Sequence, residues 1–299
     1  MQKQFIIIFM FILLFTSIVN AETKDENKKF EILKSADYTV NQTIKEVSET
    51  RKIFDQYLNG NLYPQEAVKE INKIQKKIIN IQNQTKMNGN NKDMILYIYK
   101  IKSSTNKLQN SLERLKNFIK KDYADNPKRM KDFLTSQTND LYTFITEIYK
   151  AEKEFLYNAE IEDSKYDINQ TVEDYIAMRK YLVDIKNKQQ EISKETELVI
   201  LNLTFGENRD EESKKISDII RKAENVKQNL QQMPKIESMN VLRESTIESW
   251  DISINMLKEM EKAISGKEDK DFEDIMKEYK ENIEILKDKI EEFTKNIEK

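Results

Sequence analysis

The 299-residue chain has 50 basic and 53 acidic side chains, a formal net charge of −3, and neither cysteine nor histidine. These absences exclude a Ser-His-Asp triad, a thiolate nucleophile, a disulfide, and metal sites built from His or Cys. The sequence therefore predicts a protein that is not an enzyme and holds no cofactor or metal ion. Its balanced charge predicts no nucleic-acid partner.

The N-terminal segment Met1–Ala21 has the pattern of a secretory signal peptide. Lys3 precedes an apolar stretch over 5–15, and the short side chains of Val19 and Ala21 precede a polar segment. A membrane anchor is the alternative, but it needs about 20 apolar residues. No Cys follows for a lipid anchor. We expect cleavage after Ala21, a secreted, periplasmic or cell-surface location, and no integral membrane span in the mature chain.

The rest of the chain has the periodicity of helices. Apolar residues recur at alternating steps of three and four, and the four Gly and three Pro lie between these runs. No segment alternates with a period of two for long enough to make a sheet. The sequence predicts an all-α fold with helices over 30–59, 64–86, 92–122, 127–158, 162–204, 210–232, 236–264 and 269–298.

The two halves of the chain resemble each other. The segment Tyr38–Ile44 recurs as Tyr166–Val172, and residues 71–81 match 216–226 at an offset of 145. We expect two tandem antiparallel four-helix bundles with coiled-coil-like seams, over residues 22–158 and 159–299. Since neither Gly nor Pro occurs from residue 128 to 205, a continuous helix through residues 150–170 is predicted to join the bundles into an elongated rod. A tight turn near Asp163 is the alternative.

Three polar residue types recur with this repeat and are the first candidate site. On the predicted seams, Arg51 matches Arg179 at the same offset that relates Tyr38 to Tyr166. One interpretation is a polar pocket inside each bundle in which Arg anchors a carboxylate or phosphate. The other is structural: a buried Arg–Glu pair and an Asn that fixes helix register. The residues concerned are Tyr38, Asn41 and Arg51 in the first half, and Tyr166, Asn169 and Arg179 in the second.

The segment 198–205 is the most apolar part of the mature chain. We expect a buried helix end; an exposed tip that binds a partner, a membrane or a second copy is the alternative. The residues that would make such a contact are Leu198, Ile200, Leu201, Leu203 and Phe205. A second apolar run, Met94–Tyr99, is predicted to lie in the core.

These features favour an exported, non-enzymatic scaffold that interacts with a protein partner or a cell-surface component. The first alternative is an extracytoplasmic ligand-binding or sensory bundle that uses the interior Arg and Asn residues. A membrane-active helical protein is the third hypothesis.

Overall fold

The structure is a computed structural model that describes residues 28–84, 92–121, 126–158, 170–206, 208–237, 240–266, and 274, 275, 277–279, 281, 282 and 285. These residues contain no strand, so the all-α prediction is confirmed. Further helical residues lie between 274 and 285. The helices are α1 (Lys28–Leu58), α2 (Pro64–Gln84), α3 (Lys92–Lys120), α4 (Pro127–Asn158), α5 (Gln170–Thr204), α6 (Arg209–Gln231) and α7 (Asn240–Ile264).

The helices end where the chain has breakers. Gly60 and Gly206 follow α1 and α5 with φ of 72° and 83°, a left-handed conformation that closes a helix and that side chains with a Cβ rarely adopt. Pro64 and Pro127 are the first residues of α2 and α4, where a missing N–H costs nothing. Helix α7 begins at Asn240, after the segment that contains Pro234, and not at 236 as predicted.

Several expectations fall outside the described residues. These are the signal peptide over residues 1–21, the break at Gly89, and the junction over 159–169, which holds Tyr166 and Asn169 and which the predicted continuous helix would cross.

The helices divide into two compact units, and unit 1 holds α1–α4. Consecutive helices are antiparallel neighbours: Lys77 Nζ of α2 donates to Glu46 Oε2 of α1 at 3.1 Å. Near one end of the unit, the rings of Phe118 (α3) and Phe133 (α4) stack with centroids 4.2 Å apart, and Phe54 of α1 packs edge-on against both. Apolar side chains from the four helices fill the interior between them.

Unit 2 holds α5–α7 and the helical residues between 274 and 285. Lys222 Nζ of α6 donates to Glu195 Oε1 of α5 at 2.6 Å, and Lys258 Nζ of α7 donates to Glu224 Oε1 of α6 at 2.8 Å. These pairs place α6 beside both α5 and α7. The apolar core of the unit includes Ile216, Ile219, Val226, Leu257 and Met260.

The same helix-to-helix contacts occur in both units, displaced along the chain by an offset of 145. Two contacts between α2 and α3 recur in this way between α6 and α7: Asn72–Lys116 as Ser217–Glu261, and Gln82–Asn106 as Lys227–Asp251. Helices α2 and α3 therefore correspond to α6 and α7 at this offset. The terminal glycines Gly60 and Gly206 relate α1 to α5 at an offset of 146.

This correspondence corrects the predicted equivalence of Arg51 and Arg179. Arg51 lies two turns before the end of α1 at Leu58, whereas Arg179 lies near the start of α5, which continues to Thr204. The predicted equivalence came from a short sequence match. Burial and contacts define the structural register instead, and in that register Arg179 corresponds to Leu33.

Many interior hydroxyl groups bond within their own helix. Thr39, Thr105 and Thr196 each donate to the backbone carbonyl four residues earlier, at 3.1, 2.9 and 2.9 Å. Thr50 and Ser253 do the same at 3.1 and 2.9 Å. Their burial therefore requires no partner on a neighbouring helix.

Candidate functional site

Helix α5 presents a line of polar side chains to the interior of unit 2. Arg179, Lys186, Gln190 and Ser193 are each only 2% exposed. Their spacing of seven, four and three residues places them on one face of the helix. Burial of this many polar groups on one face is costly unless the groups find partners.

The corresponding line of unit 1 is apolar. At the offset of 146, the four polar residues of α5 correspond to Leu33, Val40, Ile44 and Val47 of α1, all buried. The repeated scaffold therefore packs well with aliphatic side chains at these positions. The polar residues of α5 are not a requirement of the fold.

Helix α7 is more polar than α3 at three buried positions. Its buried Arg243, Thr246 and Ser253 occupy positions that correspond, at the offset of 145, to the apolar residues Ile98, Ile101 and Leu108 of α3. Lys222 and Lys227 of α6 bond Glu191 of α5 and Asp251 of α7, so the middle of α5 and the middle of α7 both lie beside the C-terminal half of α6. We call this part of unit 2 the polar interior. It comprises Arg179, Lys186, Gln189, Gln190, Ser193, Arg243, Thr246, Ser249, Trp250 and Ser253.

Some polar atoms of the polar interior have no hydrogen-bond partner among the described residues. They include Gln190 Oε1, Ser193 Oγ and Trp250 Nε1, each buried. An unsatisfied buried polar group costs about 1–3 kcal/mol of folding free energy. Gln190 and Ser193 leave an acceptor and a hydroxyl group on one face of α5, and Trp250 leaves a donor on α7, all in surroundings of low dielectric constant.

Other groups of the polar interior are already engaged. Arg243 Nη2 donates to the carbonyl of Gln231 at 2.8 Å, which ties α7 to the end of α6. Tyr279, in the last helical segment, is buried; burial raises the pKa of its phenol, so the hydroxyl is neutral at physiological pH.

The structure separates the residues that the sequence grouped in unit 1. Tyr38 is 49% exposed, and Asn41 and Arg51 are half-buried on α1. Ten residues, or about 15 Å of helix, separate Asn41 from Arg51. Arg51 lies beside Asp55, whose pKa is raised to about 6 by burial although the Arg51 charge lowers it. In unit 2, Arg179 belongs to the polar interior.

The apolar segment 198–205 ends helix α5. Ile200 and Leu201 are buried, whereas Leu198, Leu203 and Phe205 are half-buried. A contact of this segment with a partner, a membrane or a second copy stays a prediction. Within the described part of the chain, no helix is long and apolar enough to cross a membrane.

The prediction that Met94–Tyr99 lies in the core is wrong for half of the run. Met94, Tyr97 and Ile98 are buried, but Ile95, Leu96 and Tyr99 are 57%, 38% and 63% exposed. The reason is that α3 has a single buried face, which continues through Ile101 at helical spacing. Residues 95, 96 and 99 fall on the other side of the helix.

Of the polar interior, the sequence indicated only Arg179 as a candidate site residue. An alignment of the halves at the offset of 145–146 would have found the polar interior, because it pairs polar residues with aliphatic ones at several seam positions. Over the described residues, no group of three or more acidic side chains is placed to hold a metal ion. In comparisons with known proteins, no family model, no curated protein and no solved structure matches this chain.

Proposed function

We propose that this chain is an exported, non-enzymatic helical binding protein whose second unit holds a small polar ligand in its interior. In this proposal, each unit is an antiparallel four-helix bundle, and a continuous helix joins the two into an elongated rod. The ligand carries a carboxylate or phosphate together with hydroxyl or amide groups. Such a molecule suits the Arg, Lys, Gln, Ser and indole N–H groups of the polar interior.

The observation that supports this proposal is the difference between the two copies of one scaffold. Unit 1 has aliphatic residues where unit 2 has Lys186, Gln190 and Ser193. Replacing apolar contacts by partly unsatisfied polar groups lowers stability. A ligand that satisfies these atoms would compensate for that loss when it binds.

The test replaces residues of the polar interior by their unit 1 counterparts. The whole protein is screened by thermal unfolding against organic acids, sugar phosphates and amino acids. We expect a ligand of the polar interior to raise the Tm of the parent protein. The same ligand should raise the Tm of Gln190→Ile and of Ser193→Val by less. We expect both variants to remain folded, because the same side chains pack at the corresponding positions of unit 1.

The control is Gln75→Ile, which makes the same chemical change in unit 1 and should leave the ligand effect intact. If no compound raises Tm, or if the rise persists in both unit 2 variants, the ligand site is not the polar interior. The polar residues would then be purely structural.

A surface function is the second candidate, as the sequence expectation of a scaffold implies. Its support is the group of large side chains that α3 exposes, Ile95, Leu96 and Tyr99. We expect Tyr99→Ser to weaken adhesion of the protein to its target cells or to a partner protein. Retention of adhesion in this variant would argue against the α3 surface.

A further inference from the structure

Helices α2 and α3 enclose a surface groove in unit 1, which we call the amide groove. Its volume is about 650 Å³, and its lining is rich in amide side chains. Gln75 Nε2 donates to the carbonyl of Gln109 at 3.3 Å, and Gln109 Nε2 donates to the carbonyl of Gln75 at 3.4 Å. This reciprocal pair forms the floor of the groove. The lining residues are Asn72, Gln75, Lys76, Ile79, Asn106, Gln109, Asn110, Glu113 and Lys116.

The corresponding surface of unit 2 is built from different residues. At the offset of 145, Gln75 and Gln109 correspond to Ile220 and Ile254, which are 7% and 4% exposed. Ile79 and Glu113 correspond to the ion pair of Glu224 with Lys258. Aliphatic packing and ion pairs therefore suffice to hold these two helices together. The amides of unit 1 are not needed for that purpose.

The charged groups of the amide groove compensate each other. Lys116 Nζ donates to Glu113 Oε1 at 2.6 Å and to Asn72 Oδ1 at 2.7 Å. The hydrogen bond from Lys116, aided by that from Gln75, holds the pKa of Glu113 below its usual range. The Glu113 carboxylate is therefore ionised at neutral pH. Of the lining charges, Lys76 alone is left to give the groove a net charge.

The amide groups left open by these contacts are both donors and acceptors. Asn110 makes no side-chain hydrogen bond to any described residue, and Asn106 uses only its Oδ1, as acceptor from Gln82 at 3.5 Å. Neutral donors and acceptors at a spacing of one helical turn suit a chain of hydroxyl groups better than an anion or a cation.

Each of the two helices that line the groove also exposes an apolar side chain. Ile79, in the lining, is 44% exposed, and Tyr99 is 63% exposed, two turns before Asn106 on the same face of α3. An exposed aromatic ring with a polar hydroxyl can pack against the C–H face of a sugar ring. A peptide would need several apolar anchors in the groove, and Ile79 is the one aliphatic residue of its lining.

We propose that the amide groove binds a neutral oligosaccharide, with Asn106 and Asn110 bonding its hydroxyl groups and Tyr99 packing on a sugar ring. The site lies wholly within unit 1. It therefore does not depend on the ligand proposed for the polar interior of unit 2, and the two proposals can fail separately.

The test is calorimetric titration of the whole protein with neutral tetrasaccharides of glucose, mannose, galactose and N-acetylglucosamine. Binding of at least one is expected at micromolar to millimolar affinity, with Asn110→Leu weakening it at least tenfold. The matched control is Asn255→Leu, the exposed asparagine at the corresponding position of unit 2, which should change affinity less than twofold.

In a second variant, the double substitution Gln75→Ile and Gln109→Ile replaces the floor of the amide groove by the residues found at the corresponding positions of unit 2. We expect it to unfold at a temperature no lower than the parent and to lose saccharide binding. The proposal is overturned if no neutral tetrasaccharide binds, if the two Asn variants weaken binding equally, or if sulfated saccharides or peptides occupy the groove in preference.

Discussion

Asp55 on α1 is a carboxyl group whose surroundings oppose its ionisation. Burial raises its pKa to about 6, although the nearby Arg51 charge lowers it. Its pKa in the unfolded chain is close to 3.8. Because the folded-state pKa is the higher one, this residue contributes stability below pH 4, and that contribution is lost as the pH rises through 6.

We therefore expect Asp55→Asn to stabilise the protein at pH 8 and to be nearly neutral at pH 4. The side chain is only partly buried, so we discount the shift to a gain of about 1–2 kcal/mol. Urea unfolding followed by circular dichroism at both pH values measures the difference. Asp132→Asn, on the exposed surface of α4, is the control. An equal effect of Asp55→Asn at both pH values would contradict the prediction.

The polar interior allows a reciprocal exchange of single residues between the units. Ser193 Oγ is buried and has no partner among the described residues, and its counterpart is Val47. We expect Ser193→Val to raise the free energy of unfolding by about 1 kcal/mol, since it removes an unsatisfied hydroxyl. Val47→Ser should lower it by about 2 kcal/mol. Chemical denaturation measures both changes. A loss of stability in Ser193→Val would mean that the Ser193 hydroxyl has a structural partner.

At the scale of the helices, side chains at the starts of α4 and α6 bond the exposed backbone N–H groups. Asn126 Oδ1 accepts a hydrogen bond from the N–H of Arg129 at 3.0 Å, and Asn208 Oδ1 accepts one from the N–H of Asp210 at 3.0 Å. The first N–H groups of a helix lack partners within the helix. These asparagines therefore determine where α4 and α6 begin.

Removing the side chain that caps α4 should have a measurable cost. We expect Asn126→Ala to lower the free energy of unfolding by about 1 kcal/mol, and Asn126→Asp to leave it unchanged or slightly higher, because a carboxylate also accepts the bond and favours a helix N-terminus. Thermal unfolding of both variants tests this. Equal losses in the two would mean that the oxygen of residue 126 does not act as a cap.

The sequence predicted the helices and their ends well, because Gly and Pro act through local backbone geometry that any window of the chain contains. The ends of α1 to α4 lie within two residues of the predicted ones. The register of the repeat was harder to predict. A local match between Tyr38–Ile44 and Tyr166–Val172 outweighed the register in which Leu33 corresponds to Arg179, and the burial of α1 and α5 identifies that register.

The candidate sites were predicted less well than the fold for a related reason. Polar residues on the interior face of α5 interrupt the hydrophobic periodicity from which the seams were read, so Lys186 and Gln190 were not assigned to the interior. The amide groove depends on which faces of α2 and α3 meet. In the sequence of a single helix, Asn and Gln at these positions have the pattern of ordinary surface residues.

At the scale of the whole molecule, the acidic and basic side chains nearly balance, and most described ion pairs are exposed. In the pair of Lys52 with Glu49, for example, the side chains are 63% and 45% exposed, and in that of Arg221 with Asp218 they are 73% and 67% exposed. Water and salt screen such pairs, and each contributes about 0–1 kcal/mol. The stability of this protein therefore comes mainly from its buried seams.

It follows that salt should have little effect on stability. We expect an increase in NaCl from about 0.05 to about 0.5 M to change Tm by only about 2 °C or less, because exposed pairs contribute so little. Scanning calorimetry of the whole protein measures this. A fall in Tm of about 10 °C would mean that surface charges carry much more of the stability than their exposure implies.

The hydroxyl groups that bond within their own helices affect how these helices respond to a shearing force. Thr39, Thr105 and Thr196 would keep their hydrogen bonds if a helix moved by one turn along its axis, since donor and acceptor move together. Resistance to sliding must then come from interlocking apolar side chains and from bonds that cross between helices. In α2 and α3 the reciprocal Gln75–Gln109 pair provides such bonds. A scaffold of this kind can yield by small axial steps of whole helices while each helix stays intact.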